Sequence, residues 1–82
     1  MSKTGKVFMV AIHLHKGAPR CIVEMKGGNC DDPFSYFTFT GGMIEQARAL
    51  NIGDDITITG DDGPESRLHY IGQSIIGNQS IV

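Results

Sequence analysis

The sequence predicts an α+β domain: a mainly antiparallel sheet of about five strands with one short helix packed on one face. Three observations carry this. Apolar and polar residues alternate with period two in separate runs, the mark of strands with one face buried. The apolar blocks are short and are separated by clusters of Gly, Pro, Asn and Asp, the residues of turns. Only one segment, around Met43, Ala47 and Leu50, changes to helical spacing.

The first strand runs from Lys6 to His15 (KVFMVAIHLH). Phe8, Val10, Ile12 and Leu14 share its wholly apolar face, which is the expected core side; Val7, Met9, Ala11, His13 and His15 share the other. Lys16-Gly17-Ala18-Pro19-Arg20 has turn chemistry, and the next six residues, CIVEMK, read as an antiparallel partner strand. A breaker-rich loop, Gly27-Gly28-Asn29-Cys30-Asp31-Asp32-Pro33, leads to FSYFTFT, an aromatic and threonine-rich run suited to a pleated surface. Phe37 and Phe39 share a face with Ser35, while Phe34 and Tyr36 share the other with Thr38 and Thr40. In a chain without tryptophan Phe34, Tyr36, Phe37 and Phe39 are expected to fill the core, the alternative being an exposed platform on which bases stack. The stretch from Lys6 to Thr40 is therefore an initial three-stranded meander.

After Gly41-Gly42, the helix is expected from about Met43 to Leu50, with Thr40 or a glycine at its start and Asn51 and Gly53 as stop residues. DITIT (55–59) alternates as a fourth strand, with Ile56 and Ile58 on one face, and Gly60-Asp61-Asp62-Gly63-Pro64 is a strong turn. The remainder admits two readings. RLHYI (67–71) and SIIGNQSIV (74–82) can be strands around Gly72 and a Gly77-Asn78 turn. Alternatively, one helix starts at Pro64, with Leu68, Ile71, Ile75 and Ile76 inward. Gly72, Gly77 and the β-branched content favour the strands.

At 82 residues the chain makes a single small globular domain, residues 1–82. A chain this short buries roughly 60–65% of its unfolded surface, so its core is thin. A hydrophobic fraction of 40% and a charged fraction of 20% exclude a disordered chain. The apolar blocks are too short to span a bilayer, and no signal peptide is legible, so a cytoplasmic location and no membrane partner are expected. Cys21 and Cys30 are too few for a disulfide scaffold; they are either free thiols or a single bridge.

Charge is segregated along the chain. Residues 1–26 hold five cations (Lys3, Lys6, Lys16, Arg20, Lys26) against Glu24, for +4; residues 27–82 hold two arginines against eight acids, for −6. The two sum to a net charge of −2. A one-sided field steers partners and helps copies of a chain associate. The basic first hairpin carries the candidate partner-binding residues His13, His15, Lys16, Arg20 and Lys26. Set against a polyanion partner is a pI of ≈ 5.8, far below that of a strongly basic nucleic-acid-binding domain.

His13 and His15, two apart on a strand, project from one face as a metal-binding pair does, with Cys21 or His69 as further ligands. No third ligand sits at diagnostic spacing, and neither metal nor cofactor is expected. The three Asp-Asp pairs lack the spacing of a calcium loop, and no phosphate-binding glycine loop or nucleophile elbow occurs. No catalytic constellation is legible, so the chain reads as a non-enzyme. The segments 12–20 and 43–60 resemble the histidine-containing phosphocarrier family in length and order. That resemblance implies a phosphorylated histidine at a helix N-terminus beside an arginine and a proline. The chain departs from the pattern, because no arginine lies two residues past His13 or His15 and the segment after Arg20 reads as strand.

The first functional expectation is a non-enzymatic interaction protein that docks on another protein, such as an accessory or inhibitor protein of a phage or mobile element, with homodimer formation as a corollary. The alternatives are a small nucleic-acid-binding module using the basic hairpin, and the phosphocarrier.

Overall fold

The computed structural model describes residues 1–77. Along the chain it forms β1 (Ser2–His15), β2 (Ala18–Lys26), β3 (Ser35–Phe39), a 3-10 turn (Gly41–Met43), α1 (Ile44–Arg48), β4 (Asp55–Asp62) and β5 (His69–Gly77). The strands close into a barrel in the order β1-β2-β3-β5-β4. The meander β1-β2-β3 is antiparallel as expected, and β4 pairs antiparallel with both β1 and β5. The β3–β5 pair is parallel, through Tyr36↔His69, Phe37↔Tyr70 and Thr38↔Ile71. The sheet is thus mixed, because α1 and β4 together supply the long crossover that a parallel pairing needs.

Closure depends on β1 serving two neighbours. Its first residues, 2–6, pair with β4, and Lys6 onward pairs with β2 out to His15. Between Val7 and Met9 the register slips by one, leaving Phe8 as the extra residue of a β-bulge. The slip exchanges the two faces of the strand. Gly5 and Val7 point into the barrel before it, and Val10 packs on the core after it. Phe8 therefore lies outside with Lys26 and Phe34, which corrects its placement in the core. Ile12 and Leu14 do share the inward side with Val10, but the β1–β2 hairpin runs on past the barrel. They are 51% and 74% exposed.

The hairpin turn is tighter than expected. Only Lys16 and Gly17 are outside the strands, both at positive φ (53° and 79°), as a two-residue primed turn requires. Pro19 is accommodated inside β2 because it lies opposite Leu14 at the outer end of the strand, before β2 begins to pair with β3 at Cys21.

The core comprises Val7, Cys21, Val23, Met25, Phe37, Phe39, Ala47, Ile56, Ile58 and Tyr70. Strict alternation puts Cys21, Val23 and Met25 of β2 inward, with Ser35, Phe37 and Phe39 of β3. The helix is shorter than its periodicity suggested. The chain turns through Gly41–Met43 with Gly41 at φ 59°, then α1 packs against β1 and β2 with Ala47 in the core. Met43, Ile44 and Leu50 pack at its margin. In the C-terminal region the strand reading holds for the described part: β5 is one continuous strand through Gly72, and the expected Gly77-Asn78 turn and the residues after it lie outside the described residues. Cys21 and Cys30 are free thiols. No described helix is long and apolar enough to cross a membrane.

Gly72 is required by packing. A Cβ there would overlap the ring of Phe39, itself fully buried and unable to retreat. Gly72→Ala is expected to lower stability by about 1–3 kcal/mol, the usual range for overpacking a core, read as a lower urea midpoint at unchanged slope.

Candidate functional site

Cross-strand pairing sets side chains in rows on the outer wall formed by β1, β2, β3 and β5. One row runs Met9–Glu24–Tyr36–His69 and the next Ala11–Ile22–Thr38–Ile71. A third, at the hairpin, pairs His13 with Arg20. Met9, Ala11, His13, Ile22, Glu24, Phe34 and Tyr36 line a shallow open depression across this wall.

A chain of rings crosses the wall. Phe8 meets Phe34 edge-on at 5.7 Å, Phe34 meets Tyr36 at 6.0 Å, and Tyr36 stacks on His69 at 4.8 Å and 23°. Lys26 Nζ lies 4.3 Å from the centroid of Phe8, within cation–π range. Two of the aromatics assigned to the core are thus on the outside. Phe34 and Tyr36 are half-buried here, while Phe37 and Phe39 alone occupy the interior. The period-two split of these residues was legible in the sequence; which side faced solvent was not.

Two neighbouring loops, those preceding the parallel strands β3 and β5, hold this wall. In the β2–β3 loop, Asn29 accepts the Thr4 N–H at 2.7 Å and donates to the Ser2 carbonyl at 3.1 Å. Asp31 receives the hydroxyls of Tyr70 and Ser35 and lies 3.6 Å from Lys3 Nζ. The Tyr70 hydrogen bond, with Ser35 and Lys3 behind it, holds the Asp31 carboxyl below its usual range, while burial and the same carboxylate push Tyr70 up to about 12. This anchor fixes the loop from which Phe34 projects.

Beside it, and joined to it by Arg67 donating to the Asp32 carbonyl at 3.0 Å, the β4–β5 loop folds back on His69. The imidazole accepts the Glu65 N–H at Nδ1 (3.2 Å), so its proton is on Nε2 and is donated to Thr38 Oγ1 at 2.8 Å. Glu65 pairs with Arg20 Nη1 at 3.0 Å and accepts a long hydrogen bond from Tyr36 OH at 3.5 Å. The Arg20 guanidinium holds the Glu65 carboxyl below its usual value.

The five hairpin residues named from sequence do not form one tight cluster. His13 and Arg20 are cross-strand neighbours on the outer face, and His15 and Lys16 sit exposed at the tip. Lys26 is at the far end of β2, ~20 Å from Arg20 at the usual rise per residue. Among the described residues Lys16 and Lys26 have no carboxylate partner, whereas Lys6, which had seemed part of the basic edge, is tied to Asp55 at 2.9 Å. Cys21 points into the core, away from His13, and His69 is committed to Thr38 and Glu65, so neither can join the histidine pair. No group of three metal-ligating side chains occurs among the described residues. His13 and His15 lie within β1 and not at a helix start, which removes the geometry the phosphocarrier resemblance implies. Sequence reasoning set Phe8 in the core, weighed Phe34 and Tyr36 as a stacking surface but preferred the core for them, and considered His69 only as a metal ligand. The only advance signal was the polar company of Phe34 and Tyr36 on their face of the strand.

Burial is the main force lowering the pKa of His69, partly offset by Glu65, with Arg20 adding to the decrease. The folded state therefore resists a proton that the unfolded chain accepts below its ordinary value of 6.5, so stability falls as pH drops through that point toward the folded pKa. Urea unfolding across this window should show the decline, and His69→Gln should flatten it between 6.5 and the carboxylate range. A wild-type curve level through this window would show that His69 does not titrate as the buried geometry requires.

No family model, curated protein or solved structure matches the chain, so its function is argued from this geometry.

Proposed function

We propose that the outer wall of β1, β2 and β3 binds single-stranded nucleic acid. The observation that carries this is the chain of half-buried rings Phe8–Phe34–Tyr36, backed by the buried ring of His69, on the outside of a barrel whose core is already filled by other aromatics. Unpaired bases stack on such surfaces whatever their sequence, at about 1–3 kcal/mol per base. Lys26 at one end and Lys16 at the hairpin tip supply phosphate contacts spaced along a track rather than at a point.

The architecture supports the same reading by analogy. A five-stranded closed barrel with a parallel β3–β5 pair and a helix between β3 and β4 has the layout of oligonucleotide- and oligosaccharide-binding barrels, whose ligands lie on the strand 2–3 face between the β1–β2 and β4–β5 loops. The ring chain lies in that place. Fold alone hosts many functions, so the weight rests on the rings and cations. Part of the acidic remainder is neutralised locally, since Asp31, Asp55 and Glu65 are matched to Lys3, Lys6 and Arg20, while Glu24 stays within the wall beside Tyr36 and favours the bases over the phosphates there.

Fluorescence anisotropy with labelled single-stranded oligonucleotides tests this. Binding should weaken with salt, with log K falling about 0.7 per phosphate contact, and Lys26→Glu should reduce that slope by about one contact. Phe34→Ala and Tyr36→Ala should each weaken binding by roughly 5- to 150-fold, the equivalent of one lost stack. Absence of binding at low salt, or binding indifferent to both ring deletions, would overturn the reading.

A further inference from the structure

We propose that residues 9–15 of β1 form a self-complementary interface, two copies pairing antiparallel along this edge about a two-fold axis at Ile12. The motivation is an unfinished strand. Beyond Lys6 and the contacts of Val7 with Gly53 and Asp54, no described strand pairs with β1 on the side away from β2. An open edge of this length invites a partner strand.

The hydrogen-bonding phase of that edge can be worked out. The two-residue turn makes His15 and Ala18 the closing pair, so His15 directs its N–H and C=O toward β2. Alternation then sends those of Leu14, Ile12 and Val10 outward. The bulge accounts for Val7, an odd-numbered residue, pointing the same way: its N–H donates to Asp54 O at 3.0 Å and its carbonyl accepts from Gly53 at 2.7 Å. The outward set is symmetric about Ile12. An antiparallel copy therefore aligns Ile12 with Ile12 and Val10 with Leu14, and each of these backbone groups gains a partner.

Side chains and charge fit the same register. Val10, Ile12 and Leu14 all lie on the inward side of the hairpin, so the alignment covers the exposed Ile12 and Leu14 against apolar neighbours. Residues 9–15 carry no Lys, Arg, Asp or Glu, so the edges meet without formal like-charge repulsion. Lys16 of the second copy falls opposite Phe8, beside the Gly53–Asp54 segment bonded to Val7, bringing a free ammonium to the Asp54 carboxylate. Leu14 of the second copy approaches Ile52, another large apolar side chain left 64% exposed. The occupant is therefore a second copy of this chain, and the pairing sets two ring-bearing walls side by side in one continuous sheet.

Sedimentation velocity on the full chain, together with cysteine cross-linking, tests the interface. The wild type should sediment as a dimer, and Ile12→Lys/Leu14→Lys as a monomer with an unchanged far-UV circular dichroism spectrum. In a Cys21→Ala background, which removes the free thiol directly opposite residue 12 in the same chain, Ile12→Cys places two thiols on hydrogen-bonded partner residues with Cα atoms ~5.5 Å apart, within disulfide range, and should form a covalent dimer on mild oxidation. Leu14→Cys, with its two copies ~14 Å apart along the strands, should cross-link no more than the wild type. A wild type that stays monomeric at every soluble concentration, a dimer that survives the double lysine change, or equal cross-linking at both positions would overturn the proposal. All three readouts are independent of nucleic-acid binding.

Discussion

The double pairing of β1 is the constraint from which the rest of this barrel follows. One strand must leave β4 and join β2 without breaking the ring, and a straight strand cannot do so. The bulge at Phe8 bends it at the crossing point, and by adding one residue it reverses which side chains face inward. Val7 remains in the core and Phe8 is put outside, where Lys26 and Phe34 receive it. The bulge thus closes the barrel and begins the exposed ring chain.

β3 continues the division. Its inner residues Phe37 and Phe39 fill the core together with Tyr70, which stacks on Phe37 from β5 at 5.2 Å. The outer residues Phe34 and Tyr36 are held by polar contacts in two neighbouring loops. The Asp31–Tyr70–Ser35 network secures the loop before β3, and the Glu65–His69–Thr38 contacts secure the loop before β5. These contacts matter to a ring surface because bases stack well only on rings held in place before binding. Arg20 is the exception to full satisfaction: its Nε is buried without a partner while Nη1 is engaged by Glu65.

The segregation of charge along the sequence becomes less polar in three dimensions. Lys3, Lys6 and Arg20 are each matched to an acid from the acidic segment 27–82, across separations that the fold brings together. What remains of the basic N-terminal segment is Lys16 at the hairpin tip and Lys26 at the other end of β2. A sequence-wide sum of charge describes neither these pairs nor the local field beside the rings.

Local chemistry determined much of this protein on its own. Period-two alternation located β1 to β4 and assigned Phe37 and Phe39 to one face and Phe34 and Tyr36 to the other. Turn residues placed the breaks, and helical spacing at Met43, Ala47 and Leu50 found α1. These features depend on neighbours a few residues apart, so the sequence holds them directly. Tertiary structure decided the parallel β3–β5 pairing, the bulge at Phe8 and the overhang that exposes Ile12 and Leu14, because each is set by where a distant strand lies. It also decided that Phe34 and Tyr36 form a surface. Alternation says that two faces differ, but only the closed ring of strands fixes which of them has an interior to fill.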